Sequence, residues 1–368
     1  MEPLKNIYND VFFKSMVKVL STVVPAFKKN EFLAAIQGGE WQQLELKQRI
    51  RRISTELGHF LPGNYSEQVD AICDMINHLQ HQQVKQNSFP WLFLPDFLEV
   101  YGLQDMNISL NAMEIITAYI SCEFAVRPFL LADPETVMKK MMKWSKHSNE
   151  NVRRFSSEGC RPRLPWGKAI PSFKKDPSPI LPILENLMDD PSEFVRKSVA
   201  NNINDIAKDH PDIVLNLIKK WKSKSKNTDW ILRHGARTLL RKADPGIYKQ
   251  FGLSGSHDCE LSKFTLSKKS ISLGKSLELE FSLNNKASVE QLFRVELGVY
   301  YMKSGGSSSR KLFKITENTF EPSTIYKFKR RIDFTDLTTR KHYAGKHAVS
   351  IVVNGKELET KYFNVSRN

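Results

Sequence analysis

The chain has 368 residues, 40% of them hydrophobic and 26% charged, a globular composition long enough for two or three domains with buried cores. No apolar run approaches a membrane span, and the start "MEPLKNIYNDVFF" has early acids and no apolar signal core, so neither a membrane helix nor a secretory leader is expected. The net charge of +15 is localised: residues 1–138 carry −5, 139–242 carry +12, 243–259 carry −1 and 260–368 carry +9, a distribution that points to a polyanionic partner.

Residues 1–247 read as helices. In "LELKQRIRRISTEL" (44–57) the apolar Leu46, Ile50 and Ile53 fall four and three apart, the helical period, and "SLNAMEIITAYISCEFAVRPFL" continues that style to Pro128 and beyond. An imperfect repeat follows. Three helix pairs begin at Asp133-Pro134, at Pro177 and at Pro211-Asp212, with second helices "ENVRRFSSEG", "EFVRKSVANN" and "DWILRHGART". Their shared arginines, Arg153, Arg196 and Arg233, are 43 and 37 residues apart, the period of HEAT-like α-solenoids, whose second helices line one face. "ADPGIYKQFGLSGSHDC" then reads as a linker, placed at 248–259. Residues 260–368 change to period-two alternation: Leu277, Leu279, Phe281 and Leu283 share one face, as do Val295, Leu297, Val299 and Tyr301. Val349, Ile351 and Val353 lead into the hairpin pair Asn354-Gly355. About seven short strands predict an immunoglobulin-like β-sandwich. The expected fold is therefore an α-solenoid of HEAT-like repeats followed by an immunoglobulin-like β-sandwich.

Residues four apart share a helix face. Arg233, Arg237 and Arg241 fall in one row, beside a core row of Leu232, Ala236 and Leu240. Three aligned arginines repel one another, so the row is expected to face phosphates; pairing with Asp229 or Asp244 is the alternative. The equivalent rows hold Lys197, Asn201 and Asp205 in the second repeat and Arg154 and Glu158 in the first, with Glu123 four residues before Arg127 one helix earlier. A carboxylate facing a phosphate backbone is repelled. Glu158 and Asp205 either pair with Arg154 and Lys197 on their own helices, or serve a cation developing on a nucleotide.

The stretches "SCEFAVRPF", "RRFSSEGCRPRLPW" and "VRKSVANNINDIAKDHPD" resemble the DNA alkylation repair glycosylases of the AlkC/AlkD superfamily, which are built from HEAT-like repeats. "ELKQRIRRISTEL" followed by "LP", and the appended immunoglobulin-like domain, resemble the AlkC branch. The resemblance spans essentially the whole chain. It implies a monofunctional glycosylase that removes cationic N-alkylated bases, 3-methyladenine and 3-methylcytosine, from double-stranded DNA. By motif it implies Asp205 as the catalytic aspartate, Glu158 and Glu123 as active-site glutamates and Trp166 as the active-site tryptophan. With Arg154, Arg161, Arg163, Lys197, Arg233, Arg237 and Arg241 as phosphate contacts, the expected partner is alkylated duplex DNA, bound by a cytoplasmic monomer without cofactor.

A cationic base leaves without prior protonation, so the chemistry required is stabilisation of an oxocarbenium-like sugar and placement of water. Asp205 is expected to do both, with Glu158 and Glu123 sharing the field or holding the water. Trp166 either covers the cation with its ring or anchors a proline-rich loop; the resemblance favours the first. In the C-terminal domain, Lys327, Lys329, Arg330, Arg331 and the tip "KSGGSSSRK" either grip the duplex or are charged edge and loop residues. The main rival is a non-catalytic HEAT-like scaffold for nucleic acid or an acidic protein; a lysine Schiff-base lyase lacks a lysine in an apolar setting. The cysteines Cys73, Cys122, Cys160 and Cys259 are scattered, which fits a reducing cytoplasm, and Asp74, His78 and His81 read as a polar helix surface rather than a metal site.

Overall fold

The computed structural model describes residues 2–82, 89–254, 258–337 and 340–367. The chain separates into two compact units, Met1–Ala236 and Arg237–Asn368. The first is helical: α1 Asp10–Val23, α2 Lys29–Gln37, α3 Leu46–Phe60, α4 Tyr65–His81, α5 Phe93–Tyr101, α6 Met106–Thr117, α7 Val126–Ala132, α8 Pro134–Trp144, α9 Glu150–Gly159, α10 Pro171–Lys175, α11 Leu181–Asn186, α12 Glu193–Ile206, α13 Pro211–Trp221 and α14 Lys226–Gly235. The second starts with α15 Arg237–Arg241 and α16 Pro245–Gln250 and continues as strands. Of the expected linker 248–259, residues 255–257 lie outside the described residues.

The repeat appears where its punctuation places it. Asp133 caps α8 by accepting a hydrogen bond from the Thr136 amide at 3.1 Å, with Pro134 as the first helical residue; proline opens α13 in the same way. The pairs α8–α9 and α13–α14 result; α11 packs against α8 and α9, and α12 packs against both α9 and α14. On α12, Val195, Val199, Ile203 and Ile206 form the buried stripe, spaced four, four and three. Two of the shared arginines, Arg153 and Arg196, are structural. Arg153 Nη1 donates to the carbonyls of His147 (3.0 Å) and Ser148 (2.7 Å), six and five residues earlier. Arg196 Nη1 repeats the pattern on Asp190 and Pro191, both at 2.8 Å. Arg153 also grips the Asp190 carboxylate with two bonds of 2.7 and 3.1 Å, tying the first repeat to the second.

The strands are β1 Cys259–Leu266, β2 Ser270–Ser272, β3 Ser276–Asn285, β4 Gln291–Met302, β5 Ser308–Phe320, β6 Ile325–Asp333, β7 Gly345–Val353 and β8 Lys356–Ser366. They form a three-stranded sheet, β1-β3-β6, and a five-stranded sheet, β2-β8-β7-β4-β5. The alternating faces read from the sequence are the core: Leu277, Leu279, Phe281 and Leu283 meet Val295, Leu297, Val299, Val349 and Ile351. Asn354 (φ 46°) and Gly355 (φ 79°) make the turn between β7 and β8, both in the left-handed region that such hairpins need. No described helix is long and apolar enough to cross a membrane.

Candidate active site

The site is built on the C-terminal ends of α9 and α12. Glu158 lies in the last turn of α9 and Asp205 in the last turn of α12, and both are almost fully buried, at 5% and 2% exposure. On α12 the buried polar row Ser198, Asn202 and Asp205, spaced four and three, faces α9: Ser198 meets Glu158 and Asn202 donates to the Ser157 carbonyl at 2.8 Å. Carboxylates buried this deeply need charged partners.

The partner between them is Arg161, 7% exposed. Its Nη1 donates to Glu158 Oε1 at 2.6 Å and its Nε to Asp205 Oδ2 at 2.9 Å. Burial works against the Arg161 charge, but Glu158 and Asp205 outweigh it and hold its pKa above the usual arginine value. Ser198 Oγ donates to the other Glu158 oxygen at 2.6 Å, and Lys208 Nζ to Asp205 Oδ1 at 2.9 Å. Arg154 closes the other end: it lies 3.6 Å from Glu158 and makes a short ion pair with Glu123, while donating to Ser121 Oγ at 3.0 Å. The result is one alternating series, Glu123, Arg154, Glu158, Arg161, Asp205, Lys208, with three carboxylates and three cations.

Trp166 sits on the loop that follows. It is 62% exposed and its backbone is left-handed, φ 66°, a conformation that costs a non-glycine residue about 1–3 kcal/mol. Lys47 from α3 donates to its carbonyl. The loop is wrapped around Arg127, which is wholly buried and donates to the carbonyls of Gly159 (2.9 Å), Arg161 (2.9 Å) and Lys168. Burial pushes the pKa of Arg127 down to about 10, leaving it charged at neutral pH. Trp166 lines an open cleft of about 510 Å³ together with Glu123, Phe124, Arg154 and Phe194.

Several expectations need correcting. Glu123 and Arg127 do not share a helix: Glu123 is in the turn before α7, and Arg127 faces the interior instead of the cationic surface. Asp205 pairs with Arg161 and Lys208, while Lys197 is exposed and pairs with Glu193 at 2.7 Å. Arg161, grouped with the phosphate contacts, has its guanidinium enclosed between two carboxylates. Arg163 grips both oxygens of Asp209. The arginine row is interrupted, because α14 ends at Gly235 and α15 begins at Arg237. A weak helix former stands at the break, and a Cβ on Gly235 would lie 2.7 Å from Ile203 Cγ2 on α12. Arg233 and Arg237 are half-buried and engaged, and Arg241 is exposed. The core row Leu232, Ala236 and Leu240 is buried as expected.

In the second unit, Lys327, Lys329, Arg330 and Arg331 are exposed on β6, at the edge of its sheet; Lys329 lies 3.2 Å from Glu278 and 3.3 Å from Glu280, and Arg331 lies 3.0 Å from Asp333. Among the described residues no group of three or more His, Cys, Asp or Glu side chains is placed to hold a metal ion. Sequence reasoning missed Ser198, Lys208, Phe194 and the bridging role of Arg161. Phe194 carried a signal: it is a large apolar residue on the first turn of a repeat helix, 47% exposed, with the Arg154 guanidinium stacked 4.9 Å from its ring centre.

Paired helices, a carboxylate–arginine network and a two-sheet β-sandwich define a helical-repeat protein with an appended β domain. Residues 101–239, which hold Glu123, Glu158, Trp166 and Asp205, match the family described as DNA alkylation repair enzyme. Residues 260–367 match the family described as uncharacterised protein YhaZ, C-terminal Ig-like domain. The chain is 40% identical over 365 residues to uncharacterized protein YhaZ of Bacillus subtilis (strain 168), covering 99% of this chain and 100% of that one. It is 34% identical, with a TM-score of 0.93, to the Pseudomonas fluorescens alkylpurine DNA glycosylase AlkC bound to DNA containing an abasic site analog, covering 99% of this chain and 100% of that one. The chain belongs to the AlkC-like family of DNA alkylation repair proteins.

Proposed function

We propose that this chain is a monofunctional DNA glycosylase that hydrolyses the N-glycosidic bond of cationic N-alkylated bases, 3-methyladenine and 3-methylcytosine, in duplex DNA. The observation that carries the reading is the series of three carboxylates, Glu158 and Asp205 buried and Glu123 half-buried, alternating with Arg154 and Arg161 beside the exposed Trp166. The family and the DNA-bound glycosylase that the chain matches over its full length support the same reading.

The chemistry follows from charge. An alkylated base leaves as a neutral molecule, and the positive charge moves to the sugar. Carboxylates aimed at that charge favour the transition state over the ground state. In the free protein each carboxylate is matched by a cation, so the site carries no uncompensated charge. DNA phosphates compete for Lys208, at one end of the series, and for Arg154, between Glu123 and Glu158, and each cation drawn away uncovers negative charge for the sugar. Asp205 then stabilises the sugar and deprotonates or orients the attacking water, with Glu158 and Glu123 completing the field. Trp166 covers the sugar or the base with its ring. The remaining exposed cations, among them Lys197 and Arg241, hold the backbone, with the β-sandwich domain as a second grip. The whole series lies within one chain, which supports action as a monomer, and the reading places the protein in the cytoplasm.

The test is single-turnover base release from a duplex holding one 3-methyladenine or 3-methylcytosine. Asp205→Asn is expected to bind DNA like the wild type and to release base at least about 100-fold more slowly, the scale of a lost transition-state contact. A wild-type chain that binds tightly yet releases nothing is a scaffold, the reading that full pairing of the carboxylates would then favour.

A further inference from the structure

We infer that Arg127 is a positioning residue of the site: its guanidinium is the post around which the loop bearing Arg161 and Trp166 is folded. The inference rests on the glycosylase reading above. Helix α9 must stop directly after Glu158, and a helix that stops leaves its last carbonyls without partners. Arg127 supplies them. Its Nη1 donates to the carbonyl of Gly159, the final residue of α9, its Nη2 to the carbonyl of Arg161, and its Nε to that of Lys168. One planar fork thus fixes the first, third and last residues of a ten-residue segment, a task for which a lysine, with a single point charge, has the wrong geometry. The cation also lies favourably at the negative end of the helix.

The loop leaves the arginine no slack. A Cβ on Gly167 would sit 3.0 Å from Arg127 Cδ and 3.0 Å from Leu164 Cδ2, so the chain closes directly on the side-chain stem. The neighbouring Trp166 holds its left-handed backbone between this anchor and Lys47 on the other side. A tryptophan keeps such a conformation only where its surroundings determine it. Arg127 hydrogen-bonds carbonyls of the loop and is wholly buried, so it acts through Arg161 and Trp166 and is not itself catalytic.

The test compares Arg127→Met and Arg127→Lys in the full chain. Four quantities are read: thermal unfolding, affinity for a duplex with an abasic-site analogue, single-turnover base release, and amide exchange across 160–168. Arg127→Met, well below its unfolding midpoint, is expected to lose about 100-fold in release, as a displacement of roughly 1 Å does. Affinity should stay close to wild type, the loop amides should lose protection, and Arg127→Lys should recover only part of both. A folded Arg127→Met with the wild-type rate overturns the proposal. So does a loss of affinity by the same factor as the rate, which points to a loosened fold instead. Should Arg127→Met fail to fold, Gly167→Ala keeps every charged group and crowds the arginine stem; the same rate loss is expected, and a wild-type rate sinks the idea. If the wild-type chain releases no base, the glycosylase reading falls by itself. The exchange data then decide the anchoring, and unchanged protection in Arg127→Met overturns it.

Discussion

Replacing Arg161 by methionine tests the electrostatic account most directly. The substitution preserves much of the side chain's volume and removes the cation between Glu158, 2.6 Å away, and Asp205, 2.9 Å away. Both carboxylates are less than a tenth exposed, so water cannot replace the lost partner. Breaking a buried ion pair from one side costs about 3–5 kcal/mol. For a unit the size of Met1–Ala236, each kcal/mol shifts the midpoint by about 2–4 °C, so a fall of about 6–20 °C is expected at pH 8. The pH dependence carries a sign. In the wild type the Arg161 pKa is raised, so its stabilisation is complete below the unfolded arginine value and is lost only in strong alkali. No dependence from this group is expected between pH 5 and 9. Scanning calorimetry of both proteins at pH 8 reads the deficit out. A deficit below 1 °C would refute the argument.

Two further substitutions probe the frame around the site. Ser198→Ala removes the donor 2.6 Å from Glu158 Oε2 and is expected to cost about 1.5–3 kcal/mol in urea unfolding, the range for a hydrogen bond to a charged group; no measurable change means that water takes the hydroxyl's place. Gly235→Ala places a methyl 2.7 Å from Ile203 Cγ2 and is expected to cost about 1–3 kcal/mol. The cost should shrink in an Ile203→Ala background, and strictly additive losses in the double variant would show that the two side chains do not meet.

The fold was largely legible because hydrophobic period and helix punctuation are local. Leu277 to Leu283 had to face one way in a strand, and Asp133-Pro134 had to open a helix. The site was legible as a set of residues but not as a set of partners. Glu158 and Arg154 are four apart on one helix, and pairing between them was one of two readings; they lie 3.6 Å apart. The closer partner, Arg161, is three residues further on, past the end of α9, and helical spacing says nothing about where such a residue turns. The same limit hid Lys208, beyond the end of α12, and the Arg127 contacts, which span 32 to 41 residues. The arginine row failed for a different reason: spacing of four continues on paper through Gly235-Ala236, whereas the helix does not.

Asp190 gives this arrangement a mechanical property. Its carboxylate holds Arg153 near the start of α9, and its backbone carbonyl holds Arg196 near the start of α12. At their far ends the same two helices are joined through Glu158, Arg161 and Asp205. Two beams clamped to a common post and bridged at their tips make a closed frame. Neither tip travels alone in such a frame, so the spacing of the two carboxylates is set by the lengths of the helices and survives thermal motion of the loops around them.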